Sequence, residues 1–533
     1  LELAESQLAE GMNEAASRNF HTATVYYRVL ESMVPNISLD LHAKLEYAAA
    51  RTRQCSQLIQ NFVQEHFQGT RCSDVYDIIK SKRLGKGSYG SVYLCKHKKT
   101  GENFAVKIIN VTRINSHSLR KLHLEIAIMK ALDHPNIIKL RGVFFGRRTV
   151  SLVMDLCQGG ELFDQLTGNS QNKKGFPEAY AARLIRFMLS SIGYLHSQGI
   201  MHRDIKLENF LFQTRDRSSG LCLIDFGLSK HYCAFETMHQ VVGSAYYTAP
   251  EVLKGCYDYR CDIWSLGVVA YMLLTGSPPF NGANSDAIHQ MIQKNEPDFT
   301  ARKFPRASPL AIDFLSMMLQ KDPNKRISLD EANRHPFVLQ ANSWSEGETL
   351  SSKNILSPDI VTSLRNFSHL SKFKRLTLEL LAFNMNTTQI AGLREEFNVI
   401  DVDGSGTISL EEFKTSLIET HGLSPEGAEE IFYSVDVDKS TFINYNEFVA
   451  AAMGRRISIE EDQLMLAFDT LDIHKSGKLN ADGIKAALGD SMNNEDVEQM
   501  MKEIDYDNNG ELDYIEFAKF WKTFIVSQKL APF

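Results

Sequence analysis

Three glycines, Gly85, Gly87 and Gly90, punctuate the stretch LGKGSYGSV at 84–92. Glycine lets a backbone approach phosphate oxygens with no Cβ in the way. The same spacing marks dinucleotide-binding turns, but there a helix follows. Here a β-rich run with AVK follows, which argues against that turn. Lys107 of AVK can neutralise nucleotide phosphates, and Glu125 in HLEIAIMKAL, on a stretch predicted helical, can hold that lysine in an ion pair. Further on, HRDIKLEN (202–209) offers Asp204, Lys206 and Asn209, DFG offers Asp225, and APE ends at Glu251. These are groups for handling a phosphorylated nucleotide and its cations.

A second chemistry recurs nearer the C-terminus, in twelve-residue loops starting at Asp401, Asp436, Asp472 and Asp505. They resemble EF-hand loops, in which oxygens at fixed positions wrap one calcium ion and position 7 gives its backbone carbonyl. DVDGSGTISLEE supplies Asp401, Asp403, Ser405, Thr407 and Glu412. DYDNNGELDYIE supplies Asp505, Asp507, Asn509, Glu511 and Glu516. DVDKSTFINYNE supplies Asp436, Asp438, Ser440, Phe442 and Glu447, with Thr441 in place of the turn glycine. The loop from Asp472 has His474 where an oxygen belongs and Gly483 where a bidentate carboxylate belongs. Three calcium ions are therefore expected, with the second loop the weakest of the three. EF-hands work in pairs joined at position 8, here Ile408, Ile443, Leu479 and Leu512. The third loop is read as a structural half-site bracing the fourth through Leu479 and Leu512.

Such groups need several domains to position them, and 533 residues are too many for one core. The longest apolar run, SLGVVAYMLL at 265–274, is too short to span a bilayer. No secretory signal is visible. The first residue is Leu1, so a missing native N-terminus is expected and lipidation there is left open. The eight cysteines lie between Cys55 and Cys261 without CxxC pairs, which favours a reducing, intracellular and cytoplasmic setting over a disulfide scaffold or zinc site. Residues 389–533 hold 29 acidic and 12 basic side chains, a net −17 within a chain whose total is −7. That block suits cation binding or docking onto a basic segment. Nothing matches a nucleic-acid motif.

Residues 1–68 are predicted helical, broken at Pro35, and resemble a microtubule-interacting-and-trafficking module or one tetratricopeptide unit. A plain helical extension packed on the next domain is an equal alternative. Short β-rich runs start at Tyr76 and amphipathic helices follow to Pro336. A further helical segment from Pro358 to Asn384 is apolar on one face and carries Arg365, Lys372, Lys374 and Arg375.

The ordered set from Gly85 to Glu251 resembles a eukaryotic protein kinase. With the helical junction and four EF-hands, the chain resembles the calcium-dependent protein kinases of plants and protists over residues 76–525. The resemblance implies a multidomain chain: the α+β bilobal kinase fold at 76–338, a junction or autoinhibitory helix at 339–388, and all-α EF-hand lobes at 389–525. The N-terminal helical module, 1–68, falls outside it.

It implies ATP as co-substrate, with Mg2+ held by Asn209 and Asp225, and Ca2+ in the EF-hands. Asp204 then accepts or orients the substrate hydroxyl, and Lys206 screens the transferred phosphoryl group. Leu84, Gly85, Gly87, Gly90, Val92, Lys107, Glu125 and Asp225 form the ATP site, with Met154 limiting the adenine pocket. Lysine two residues after Asp204 implies Ser/Thr acceptors, and Glu161 and Glu208 could favour basic protein substrates. Glu236 stands where many kinases are phosphorylated, able to pair with Arg203, and Thr237 keeps a switch open. Captured by an opened EF-hand groove, the basic junction would release the kinase in calcium; a helix packed permanently between domains is the less favoured alternative. A calcium-responsive scaffold with an inactive kinase domain is opposed by intact Lys107, Asp204, Asn209 and Asp225. An adaptor acting through a partner of residues 1–68 is the other reading.

Overall fold

The computed structural model describes residues 71–530 apart from 87–89, 112–115, 147–148, 169–174, 217–218, 233–237, 241, 340–355, 386–388, 438, 454–460, 473–475 and 489–493. The expected module at 1–68, and Gly87, Glu236, Thr237, Asp438 and His474, lie outside the described residues.

Five strand segments build an antiparallel sheet. They are β1 (Tyr76–Lys86), β2 (Gly90–His97), β3 (Asn103–Asn110), β4 (Leu140–Phe145) and β5 (Thr149–Met154), in the order β1-β2-β3-β5-β4. Of the inner strands, β3 and β5 carry continuous buried runs. In β3 Lys107 pairs with Val92 on one side and Leu152 on the other. A strand paired on both edges cannot slip, so the lysine is fixed. Gly90 is required where β2 meets β3, because a Cβ there would stand 2.2 Å from the Ile108 carbonyl oxygen. Helix α1 (Ser116–Ala131) turns Leu122, Ile126 and Met129 into the core and brings buried Glu125 with them.

Beyond β5 the chain is mainly helical. Helices α2 (Glu178–Ser197) and α3 (Arg260–Thr275) form the centre of the second lobe, with Tyr194, Trp264 and Tyr271 fully buried. Between them a two-stranded ribbon, β6 (Phe210–Phe212) and β7 (Leu221–Leu223), pairs Phe210 with Leu223. That register places Asn209, just before β6, beside Asp225, just after β7.

The junction differs from the single helical segment expected. It forms two helices, α4 (Pro358–Ser368) and α5 (Lys372–Asn384). The chain leaves helical geometry at Ser371, whose φ of −60° and ψ of 153° are extended. The break turns Leu364 and Phe367 of α4, and Phe373, Leu376 and Leu381 of α5, into one core with the EF-hand helices. Helix α4 packs on helices Pro425–Val435 and Tyr445–Ala452. Helix α5 reaches from the first EF-hand pair to helices Glu461–Leu471 and Asn494–Ile504 of the second. Its basic residues are engaged: Arg375 donates to the Ser434 carbonyl at 2.9 Å, and Lys374 lies 3.3 Å from Glu503.

Position-8 residues pair as the loop register requires, Ile408 with Ile443 and Leu479 with Leu512. The C-terminus of α5 is fastened to the kinase domain by Arg141 of β4. Its guanidinium donates to the Phe383 and Met385 carbonyls while forming a bidentate pair with Asp155, just beyond β5. No helix among the described residues is long and apolar enough to cross a membrane.

Candidate active site and calcium loops

Lys107 Nζ lies 2.6 Å from Glu125 Oε1 and 3.9 Å from Asp225 Oδ1. Both partners of the shorter pair are buried, so the attraction is little screened. The sheet and α1 thus carry the cation to Asp225, which is 37% exposed and open to a ligand. Gly85 lies in β1, with Leu84 exposed beside it, and Val92 faces Lys107 across the β2–β3 ladder.

Asp204 sits opposite. Lys206 Nζ pairs with its Oδ2, and Ser244 Oγ donates to its Oδ1 at 3.1 Å. Asn209 Nδ2 donates to the Asp204 carbonyl at 2.8 Å, tying the two residues into one turn. Asn209 and Asp225 offer side-chain oxygens from adjacent ends of β6 and β7, a donor set that suits a hard cation such as magnesium.

Two residues of this site are strained. Arg203 has φ 67° and Asp225 φ 64°, a region that residues with a Cβ visit rarely. Buried Asp262 of α3 holds the first of them in place. Its two oxygens accept the backbone N–H groups of His202 and Arg203, each at 2.8 Å, and His196 Nε2 lies 2.9 Å away. Burial works against its charge, but the hydrogen bonds and the neighbouring histidines prevail and hold its carboxyl below the usual range. Asp262 escaped the sequence reading although it opens the apolar run IWSLGVVAYMLL, a sign of a buried helix that would have marked it as a buried charge. Ser244 has no such signal around it.

In loop one, Asp401, Asp403 and Glu412 bring carboxylate oxygens within 4.8 Å of one another, and Asp505, Asp507 and Glu516 do so in loop four. Burial first, then the charges of Glu412 and Asp403, push the Asp401 carboxyl well above its usual range. Crowded, desolvated like charges fit a divalent cation. Ser405 and Thr407 sit in loop one's turn, Ser405 Oγ donating to the Thr407 carbonyl at 2.9 Å. Asn509 bonds Asp507, and Glu511 N–H donates to Asn509 Oδ1 at 2.7 Å in loop four.

Loop two is built alike from the residues described. Ser440 and Thr441 N–H groups donate to Asp436, Ser440 Oγ donates to the Phe442 carbonyl, and Glu447 receives Val437 N–H. Thr441 at the turn is held at φ 70°, a conformation that suits glycine and strains a β-branched residue. Loop three keeps its turn: Ser476 and Gly477 N–H groups donate to Asp472. At its twelfth position Gly483 gives only a backbone N–H, which donates to Asn480 Oδ1.

The protein kinase domain model matches residues 78–338, and the EF-hand domain pair model matches 390–453 and 461–522. Calcium-dependent protein kinase 11 of Oryza sativa subsp. japonica is 36% identical over 477 residues, covering 88% of this chain and 80% of that protein. Calcium-dependent protein kinase 17 of Arabidopsis thaliana is 36% identical over 442 residues, 82% of each chain. The chain belongs to the calcium-dependent protein kinases. Calcium-dependent protein kinase 5 of Plasmodium falciparum (isolate 3D7), 34% identical over 469 residues, extends the likeness to protists, with 87% of this chain and 80% of that protein covered. As a calcium-dependent protein kinase, this chain combines a bilobal kinase domain and EF-hands in one polypeptide, as its motif order implied.

Proposed function

We infer that the kinase domain transfers the ATP γ-phosphate to serine or threonine hydroxyls of proteins, under control of calcium at the EF-hands. The observation that carries this reading is the 2.6 Å Lys107–Glu125 pair reaching toward Asp225, opposite an Asp204 held by Lys206 and Ser244. Lys107 orients the nucleotide phosphates. Asn209 and Asp225 would hold magnesium, which neutralises phosphate charge when bound. Asp204 receives or orients the substrate hydroxyl, and Lys206 screens the phosphoryl group.

Substrates with basic residues fit the cleft rim. The Glu161 carboxyl is raised by burial and then by the charges of Asp164 and Glu208, so three acidic groups crowd one region. A cation there would relieve the crowding. Peptides with arginine near the acceptor should show a lower KM than alanine counterparts, and equal KM values would exclude the preference.

For switching, the expected docking of the junction onto the EF-hands is already present in α4 and α5, so calcium is taken instead to redistribute them together with the EF-hand lobes relative to the kinase domain. Incorporation of radiolabelled phosphate should be high in calcium and low in chelator, and the segment 1–338 should lose that response. Equal incorporation by the full chain in both conditions would remove calcium control.

Three calcium ions are assigned, one each to loops one, two and four. The missing carboxylate at Gly483 leaves loop three short of ligands. Titration calorimetry should count three, the weakest at loop two. Thr441→Gly should tighten that weakest event by relieving the turn. A count of four in the unaltered chain would refute the half-site assignment.

A further inference from the structure

Loop one is enclosed where loop four is open. Asp401 is 2% exposed, whereas Asp507, Asn509 and Gly510 of loop four all face solvent. The cover is the kinase domain. The Gly404 carbonyl oxygen would lie 3.4 Å from a Cβ on Gly193 of α2. A Cβ on Gly404 would stand 3.1 Å from Asn333 Oδ1, and one on Gly406 only 2.3 Å from the His134 ring. Gly404 and Gly406 thus let the loop backbone lie against the Asn333 and His134 side chains closer than a Cβ would allow.

Arg186 lies one face-repeat from Gly193 on α2, since seven residues are two helical turns. Its Nη2 donates to the Asn398 carbonyl at 3.3 Å, three residues before Asp401, and its charge acts on Asp401. Arg394 crosses in the opposite direction, from helix α6 (Ala391–Ile400) into the kinase domain. Its guanidinium carbon is 5.8 Å from the Phe187 ring centroid, and its Nη1 donates to Gln213. The helix leading into loop one is thus pinned to α2 from both sides.

We propose that loop one is an interdomain calcium site, whose affinity is set across the contact by the kinase residues Arg186 and Asn333. Bonded to the backbone three residues before Asp401, Arg186 places a positive charge next to loop one. A divalent cation entering the same loop meets that charge in a poorly screened setting, so Arg186 holds the affinity down. Asn333 presents a neutral amide to the Gly404 backbone where a carboxylate would attract the cation. By thermodynamic reciprocity, calcium in loop one weakens the grip of α2 on the loop as much as that grip weakens calcium binding. The kinase domain is then part of its own sensor, and loop one differs from loop four by what it is docked on.

The inference rests on the reading that the EF-hands bind calcium, and calcium titrations of the intact chain test both separately. Arg186→Gln should tighten one binding event by about fivefold or more, within the usual range of coupling between sites. Asn333→Asp should shift the same event in the same direction, and Arg186→Lys should stay near the unaltered chain. In a Glu412→Gln background, which removes loop one's bidentate ligand, Arg186→Gln should shift nothing. Affinities unchanged in both Arg186→Gln and Asn333→Asp overturn the proposal, as does a shift that survives in Glu412→Gln. Asn333→Asp decides the matter alone if Arg186→Gln does not fold. An unaltered chain that takes up no calcium overturns the underlying reading instead.

Discussion

Asp204→Asn is expected to lower turnover by roughly two to four orders of magnitude, the usual contribution of a positioned acid–base group. The substitution removes the carboxylate that Lys206 and Ser244 hold in place. It leaves Lys107, Glu125 and Asp225 untouched, so nucleotide affinity should change little. Lys107→Met should do the reverse and weaken nucleotide binding. Single-turnover phosphate transfer and fluorescent-nucleotide binding, measured on the same preparations, separate the two. Near-normal turnover in Asp204→Asn would remove this residue from the chemistry and with it the assigned division of roles.

Glu251→Ala is expected to have the largest effect on stability. Glu251 lies in the APE motif, and its carboxylate meets Arg326 at 2.5 and 2.9 Å with both side chains nearly free of solvent. Arg326 also donates to the Gln320 and Arg260 carbonyls and stands 5.3 Å from the Trp264 ring centroid. Removing the carboxylate leaves a buried guanidinium without its counter-charge, which costs about 3–5 kcal/mol. For a domain of this size the unfolding temperature should fall by roughly 10 °C. The unfolding of a multidomain chain has more than one step, so the transition followed should be the one that ATP analogues shift upward. A kinase-domain transition unmoved by Glu251→Ala would mean that the pair adds nothing to stability.

Contiguous residues determine much of this protein. Each stretch that touches nucleotide or calcium is short and local, and its residue types follow from its ligand: glycines beside phosphate, oxygens at fixed steps around a cation. The order of these stretches implied the bilobal domain followed by EF-hands, and the position-8 alternation implied the pairing of Leu479 with Leu512. The amphipathic pattern of 358–384 implied a helix for an opened EF-hand groove to capture, but neither its standing burial in the EF-hand core nor the turn at Ser371.

What tertiary structure decided is everything carried by residues distant in sequence. Asp262 holds the backbone of Arg203 from 59 residues away, and Arg326 reaches Glu251 from 75. Neither pairing is legible locally, because the partner that meets a buried charge is fixed only by the packing around it. The left-handed backbone at Arg203 and Asp225 is equally invisible in the sequence, since that strain is sustained by the surrounding packing and hydrogen bonds. The enclosure of loop one against α2 is of the same kind. Loops one and four spell nearly the same set of calcium ligands, and only the packing of one domain on another makes them different sites.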